Sequence, residues 1–461
     1  MSQGEDIMPN ISDSAVAELS SGFSGELIRP TDTTYDEARA IFNGMIDRRP
    51  ALIARARTAA DIAEIVRFAS KEGLPLAVRG GGHSVAGFSM IDDAIIADCS
   101  LMNEVRVDPD ARTIVAGPGC RWKDVDGTAG AHGLATTGGT ISSTGIAGFT
   151  LGGGLGFLAK KFGLACDNLI EAEVVLASGE IVKANERENP DLFWGLRGGG
   201  GNFGLVTSFT YRAHPVTDVT FSLNMWPAAD GLEHIKFYRD YFPDTPPEVV
   251  GIAMFATAPP LPFIPEAVQG TEIMMMGTIY IGPQDEAEPW FKPITDRAPI
   301  ASVAIPMPYM FAQQLLDASA PAGVRNYWRS EFMDSAPDKA LEVMADAGPK
   351  KGSPMSMIQL INVGPSPEVD NAFPGRDHAF LYHAISVWED PAEDEKHIGW
   401  NKKVGKDLEP FSAQSAYLNF IGDEGSDRVR KTFGAKYDRL VDLKRTYDPT
   451  NMFRYNQNIA P

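Results

Sequence analysis

His83 follows three consecutive glycines in the stretch V-R-G-G-G-H-S-V-A-G, so an imidazole stands beside backbone that carries no side chains. Bare backbone lets a loop approach a ligand closely and turns its N–H groups toward an anion. Three more clusters repeat the pattern: T-T-G-G-T at 136–140, G-F-T-L-G-G-G-L-G at 148–156 and R-G-G-G-G-N-F-G at 197–204. One cluster alone reads as a tight turn at a strand end; four of them predict loops converging on an anion, a pyrophosphate above all. Gly199, Gly201 and Gly204 satisfy G-x-G-x-x-G by letter, but the run that follows, L-V-T-S-F-T-Y-R, alternates and is rich in β-branched and aromatic residues. It predicts a strand, whereas a dinucleotide fingerprint of the Rossmann type must open a helix. No His/Cys/Asp/Glu spacing suggests a metal site and no Ser-His-Asp grouping is visible.

The elements that must position these loops are legible around them. In T-A-A-D-I-A-E-I-V-R-F-A-S-K-E-G, Ile62, Ile65, Val66 and Ala69 recur at helical spacing, with Thr58 as N-cap, Asp61 at the capping-box position and Gly73 as stop. The helix runs into L-P-L-A-V-R, so the His83 loop is expected at the C-terminal end of a strand. Further strands are predicted in A-I-I-A-D-C, T-I-V-A-G-P-G and, around a Ser178-Gly179 turn, in N-L-I-E-A-E-V-V-L-A-S-G-E-I-V-K-A. From His214 to about Phe411 the texture changes to proline clusters and a methionine run, which predicts a second lobe. The last stretch returns to aromatic, Asn and Gln residues and is expected to fold back on the first.

Composition bounds the function. At 461 residues the chain exceeds what one core serves, and a formal charge of -20 repels phosphate backbones and anionic lipid, so neither nucleic acid nor membrane is an expected partner. The start has no apolar leader and no apolar run is long enough to span a bilayer, so a cytoplasmic protein is expected. Three cysteines are too few for a disulfide framework, and Cys99 and Cys120 suit small buried positions.

Four separated stretches, L-A-V-R-G-G-G-H-S-V-A-G-F-S, G-F-T-L-G-G-G-L-G-F-L-A-K-K-F-G-L-A-C-D-N-L-I-E-A-E-V-V, L-F-W-G-L-R-G-G-G-G-N-F-G-L-V-T-S-F-T-Y-R and Y-D-P-T-N-M-F-R-Y-N-Q-N-I, together resemble the berberine-bridge-enzyme-like FAD oxidases of the vanillyl-alcohol-oxidase, PCMH-type FAD-binding superfamily. The resemblance spans nearly the whole chain, in order. It implies an α+β fold of two lobes: an FAD-binding domain from 1–214, an inserted substrate domain at 215–411 built on an antiparallel sheet covered by helices, and a C-terminal segment, 412–461, that adds a strand to that sheet and returns to the first domain.

It also implies roles residue by residue. His83 matches the histidine joined to the flavin 8α-methyl carbon, and Cys166 in G-L-A-C-D-N is read as a second, thioether attachment. Arg79, Gly80, Gly81, Gly82, Ser84, Gly138, Gly139, Ser142, Gly145, Gly148, Val206, Tyr455 and Asn456 are the further cofactor positions. Of the family's Y-x-N-Y motif the chain keeps Tyr417 but has Phe420 in the second place. Tyr417 is therefore the first candidate for proton abstraction, with Tyr382 as its partner, while His383, Gln359 and Glu331 are expected on the substrate lobe's sheet. The activity implied is an FAD-dependent oxidase taking a hydride and a proton from an alcohol, saccharide or secondary metabolite and reducing O2 to H2O2. A dehydrogenase using another acceptor, or a silent flavin-containing binding protein, are the alternatives. A monomer or homodimer is expected.

Overall fold

Parallel strands are buried on both faces and read as unbroken apolar runs, and the first sheet shows this. In the computed structural model, which describes residues 11–364 and 369–461, β1 (Glu26–Ile28), β2 (Leu52–Arg55), β3 (Leu76–Arg79) and β4 (Ile95–Asp98) form a sheet of order β1-β2-β4-β3. Strands β2 and β3 lie parallel to β4, and β1 is antiparallel to β2. The crossover from β2 to β3 is the helix Ala59–Glu72; Thr58 and Asp61 close its capping box and Gly73 ends it at φ 66°. The His83 loop leaves the C-terminal end of β3, as the sequence predicts.

A second sheet, fully antiparallel, packs beside the first. Its members are β5 (Val105–Asp108), β6 (Thr113–Ala116), β8 (Leu169–Val175), β9 (Ile181–Asn185) and β10 (Leu205–Arg212), in the order β5-β6-β10-β8-β9. Strand β10 is the L-V-T-S-F-T-Y-R run, so the glycine cluster before it opens a strand and not a helix. The two-residue strands β7 (Leu134–Ala135) and β11 (His214–Pro215) pair with each other where the chain leaves this lobe.

Beyond β11 the chain builds a seven-stranded antiparallel sheet from β12 (Asp218–Pro227), β13 (Val249–Thr257), β14 (Glu272–Tyr280), β15 (Ala301–Pro308), β16 (Arg325–Met333), β17 (Met357–Asn362) and β18 (Phe380–Trp388), ordered β15-β12-β14-β13-β17-β18-β16. Side chains alternate across it. One face, with Phe255, Met274, Met276, Leu360 and Tyr382, is closed by helices Gly231–Tyr241, Asp338–Ala347 and Asp394–Leu408. The other face, with Phe332 and Leu381, turns toward the first lobe. The expected C-terminal strand is not formed: Ala413 and Ser415 exchange backbone hydrogen bonds with Phe332, after which the chain turns through a short 3-10 segment, Leu418–Phe420. Among the described residues no helix is long and apolar enough to cross a membrane, and no group of His, Cys, Asp and Glu could hold a metal.

Candidate functional site

All four glycine clusters reach one cavity of about 310 Å³ between the lobes. Its wall includes Gly80 to Gly82 behind β3, Gly139, then Gly145, Gly148 and Gly152, and finally Gly200, Gly201 and Gly204 before β10. Two of these loops touch through their backbones: a Cβ on Gly81 would lie 2.4 Å from the Cα of Gly145. Only glycine fits either position. Among the described residues that line the cavity there is no Asp, Glu, Lys or Arg. An anion entering here meets backbone N–H groups and hydroxyls rather than side-chain charge.

His83 lies in this wall. Its ring stacks on Phe42 with centroids 3.8 Å apart and an interplanar angle of 16°, and its Nε2 is buried without a hydrogen-bond partner. Burial pulls its pKa down to about 4, so the imidazole is neutral and its ring nitrogen keeps a free lone pair near pH 7. Ser84, Val206, Tyr455 and Asn456 also line the cavity. The last two are held there by the C-terminal tail. Lys444, fully buried, donates to Asp448 Oδ2 at 2.7 Å and to the carbonyls of Asn202 and Phe453 at 2.8 and 2.9 Å. Asp448 in turn accepts from the N–H groups of Met452 and Phe453, and Asn456 donates to Gly201 O at 3.0 Å. The Y-D-P-T-N-M-F run is thus a fastening that brings Tyr455 onto the cavity.

Other expected residues stand elsewhere. Arg79 turns from the cavity: its guanidinium donates to Ala38 O and, at 3.0 Å, to Ala40 O, beside Asp98. Gly138 packs between Trp122 and Gln313. Ser142 gives both its N–H and its hydroxyl to Asp317, at 2.7 and 2.6 Å, so its donors are committed to a carboxylate of the second lobe. Cys166 does not line the cavity. It is fully buried with Leu164, Phe332, Phe373, Leu381 and Tyr417, its Sγ 3.6 Å from Asp167 Oδ1, and burial together with that carboxylate pushes the thiol well up. Cys166, read from the sequence as a second attachment point, therefore stands in the packing beside the cavity and not among its lining residues.

The two tyrosines are not brought together. Tyr382 lies on the helix-covered face of the sheet with Leu341, Val404 and Leu408, one residue out of phase with the face that looks toward the cavity. Strand alternation decides this, and its pairing with Tyr417 is corrected accordingly. Tyr417 Oη accepts from Gly154 N at 3.1 Å, Leu155 N at 2.9 Å and Asn419 Nδ2 at 3.0 Å. Burial pushes its phenol up to about 12 despite these donors. Glu331 shares the face of Tyr382 and pairs with Arg428 at 2.9 Å, whereas His383 and Gln359 stand opposite one another on the cavity-side face.

Several wall residues carry no local signal in the sequence. Trp328 on β16 and Leu418, Asn419, Phe420 and Ile421 line the cavity from the second lobe's side, and Cys99, expected only to pack, lines it at the end of β4. Phe420, conspicuous as the substituted motif position, could have been flagged; Phe42 meets His83, and Trp328 meets Phe42, only through the fold.

Comparison with known proteins follows the same outline. The family model described as an FAD binding domain matches residues 50–185, and that described as berberine and berberine like matches residues 416–460. An FAD-linked oxidoreductase of Aspergillus terreus is 30% identical over 94% of this chain and 93% of its own. The crystal structure of 6-hydroxy-D-nicotine oxidase from Arthrobacter nicotinovorans superposes with a TM-score of 0.85 at 26% identity, covering 95% of this chain and 98% of that one. The carbohydrate oxidase of Microdochium nivale shares the fold at a TM-score of 0.83 and 24% identity, over 97% of this chain and 99% of that one.

Proposed function

Because the chain belongs to the berberine-like FAD-linked oxidoreductases, we propose that it is an oxidase that withdraws a hydride and a proton from a small-molecule hydroxyl or amine and passes the electrons to O2, giving hydrogen peroxide, with its FAD attached through His83 alone. FAD, when bound, supplies the hydride acceptor. The residues present fit it: a histidine with a buried, unpartnered imidazole nitrogen stands in the wall of a cradle that only glycine backbone can form. The orphaned Nε2 of His83 is the observation that carries the reading, since a buried polar atom without a partner costs stability unless a ligand uses it.

The chain's own residues then have separable tasks. The glycine loops offer N–H groups to the diphosphate, and Phe42, stacked on the imidazole, fixes the ring orientation from which attachment proceeds. The low basicity of His83 keeps that nitrogen unprotonated at working pH. Trp328, Leu418 and Phe420 add apolar surface to the cavity wall.

Intact mass after acid denaturation tests the attachment. Wild type and Cys166→Ala are expected to retain the mass of one FAD and His83→Ala to lose it; retention in His83→Ala and loss in Cys166→Ala would reverse the assignment. Peroxide formed mole for mole with substrate consumed in air supports the oxidase, and substrate-reduced protein that oxygen fails to reoxidise removes O2 as the acceptor.

A further inference from the structure

One segment of the first lobe, residues 40–46, grips the His83 loop on both sides of the histidine. Phe42 donates its N–H to Gly82 O at 3.0 Å, one residue before His83, and stacks its ring on the imidazole. Asn43 reaches the far side and donates through Nδ2 to Val85 O at 2.8 Å. The same segment is bonded along its other edge to the second lobe. Gly323 N donates to Phe42 O at 2.9 Å and Gly44 N to Val324 O at 2.8 Å, an approach so close that a Cβ on Gly44 would collide with Gly323 O. In β16, Asn326 donates its N–H to Asn43 Oδ1 and accepts from Asn43 Nδ2 at its carbonyl, both at 3.0 Å. Trp328, two residues on, meets the Phe42 ring edge to face at 6.0 Å and donates from Nε1 to Asn326 Oδ1 at 3.0 Å.

Asn43 is 2% exposed, and its amide is fully used: both N–H groups donate, and Oδ1 accepts a second bond from Met45 N at 3.1 Å. A buried amide satisfied in this way holds one geometry, because a shift strands a donor or an acceptor away from water. The position of β16 therefore sets the positions of Phe42 and Val85 O, and the His83 ring is held through both. Bond formation is sensitive to such placement, since a displacement of about 1 Å between reacting groups costs about a hundredfold in rate. The partners of Asn43 are Val85, Asn326 and Met45, none of them in the glycine clusters at 148–156 and 197–204, so binding of FAD and its attachment are separable.

We infer that Asn43 is a positioning residue for flavin attachment: it ties the His83 loop to β16, so the imidazole takes its reacting orientation only once the second lobe is docked. This rests on the reading above that FAD is attached through His83. In that step an imidazole nitrogen forms one C–N bond to the 8α-methyl carbon. The methyl group gives up one hydrogen and the imidazole one; their two protons and two electrons pass into the flavin ring, and O2 takes them from there as H2O2. Asn43 touches none of the reacting atoms.

Variants built on Cys166→Ala test this, since flavin retained by that parent reports on His83. Two quantities are read at intervals after induction: FAD bound per chain, from native flavin absorbance, and FAD retained by the chain, from intact mass after acid denaturation. Asn43→Asp keeps the side chain's shape and acceptors but removes its donors. Its bound FAD should stay within twofold of the parent, while the retained-to-bound ratio at the earliest time falls threefold or more. Gly44→Ala forces Gly323 away and leaves Asn43 and the His83 loop unaltered, so it should lower the same ratio. Tyr238→Phe strands Gly251 O and Asn362 N on the helix-covered side of the second lobe; it is expected to lower the unfolding midpoint and leave the ratio unchanged. A parent-like ratio in Asn43→Asp, or an equal fall in Tyr238→Phe, overturns the positioning role, and a parent-like ratio in Gly44→Ala overturns its dependence on the second lobe. If Asn43→Asp fails to fold, Gly44→Ala against Tyr238→Phe decides. A parent that binds FAD but releases it in acid overturns attachment through His83, and a parent without flavin overturns the FAD reading; each takes this inference with it.

Discussion

Three N–H groups converge on Tyr417 Oη, and two of them, from Gly154 and Leu155, fasten the C-terminal segment to that backbone. The glycines of this cluster serve the same approach: a Cβ on Gly152 would lie 2.2 Å from Asn419 Oδ1, and Gly154 sits at φ 88°, a conformation that side chains resist. Tyr417→Phe strands two backbone donors in a buried position, at a cost of about 1–3 kcal/mol. The unfolding midpoint is therefore expected to fall while kcat stays within about threefold of wild type; removal of a true proton acceptor would instead lower kcat by about a hundredfold or more. Residue identity in the sequence speaks only where neighbours in the chain share the work. His83 was legible because its glycines are adjacent to it, whereas Arg79, Cys166 and Tyr382 carry suitable chemistry at positions whose facing is set by long-range packing. Phe42 carried no signal, since its stack on His83 joins residues 41 apart in sequence.

The cavity loop from Gly139 to Gly145 is held by an element of the other lobe. Asp317 takes both donors of Ser142, and Gln313 donates to Gly139 O at 3.1 Å and to Asp126 Oδ2 at 3.4 Å. The segment that follows β15 therefore holds part of the cavity wall, although it belongs to the substrate lobe. Asp317→Ala frees a buried serine and its N–H, so amide hydrogen exchange across residues 139–145 is expected to quicken about tenfold or more, with exchange in β12 to β14 unchanged. Uniform acceleration through the second lobe would mean that Asp317 stabilises the lobe rather than the loop. Helix and strand positions were readable in advance, because capping at Thr58 and Gly73 and alternation in β10 are local. The turn Leu418–Phe420 was not, since the sequence there has the composition of a strand and the backbone bonds to Phe332 stop short of it.

At the scale of the whole molecule, two lobes were legible from the change of texture after His214, yet the buried titratable groups that distinguish this fold in solution were not, because burial is a property of the assembled layers. His214 and His383 are held neutral, at about 4 and about 3 against an ordinary 6.5. Each contributes stability that is present above pH 6.5 and lost as pH falls from there toward 4, since the unfolded chain takes up the proton first. Asp126 works the other way. Burial raises its carboxyl to about 8, and its Oδ1 has no partner, so its contribution is present below about pH 4 and is lost as pH rises toward 8. Two substitutions separate the opposing slopes. His383→Phe keeps a ring stacked on Phe420 and removes two unpartnered nitrogens, so the unfolding midpoint at pH 7 is expected to hold or rise and the change between pH 7 and pH 5 to shift toward stability at pH 5. Asp126→Asn removes the group that acid favours, so it should raise the midpoint at pH 8 and make the loss on acidification steeper than in wild type. Differential scanning calorimetry of the three proteins at pH 5, 7 and 8 reads both slopes. Parallel profiles for wild type and His383→Phe would show that His383 takes up a proton as readily folded as unfolded, contradicting its burial between Trp328 and Phe420.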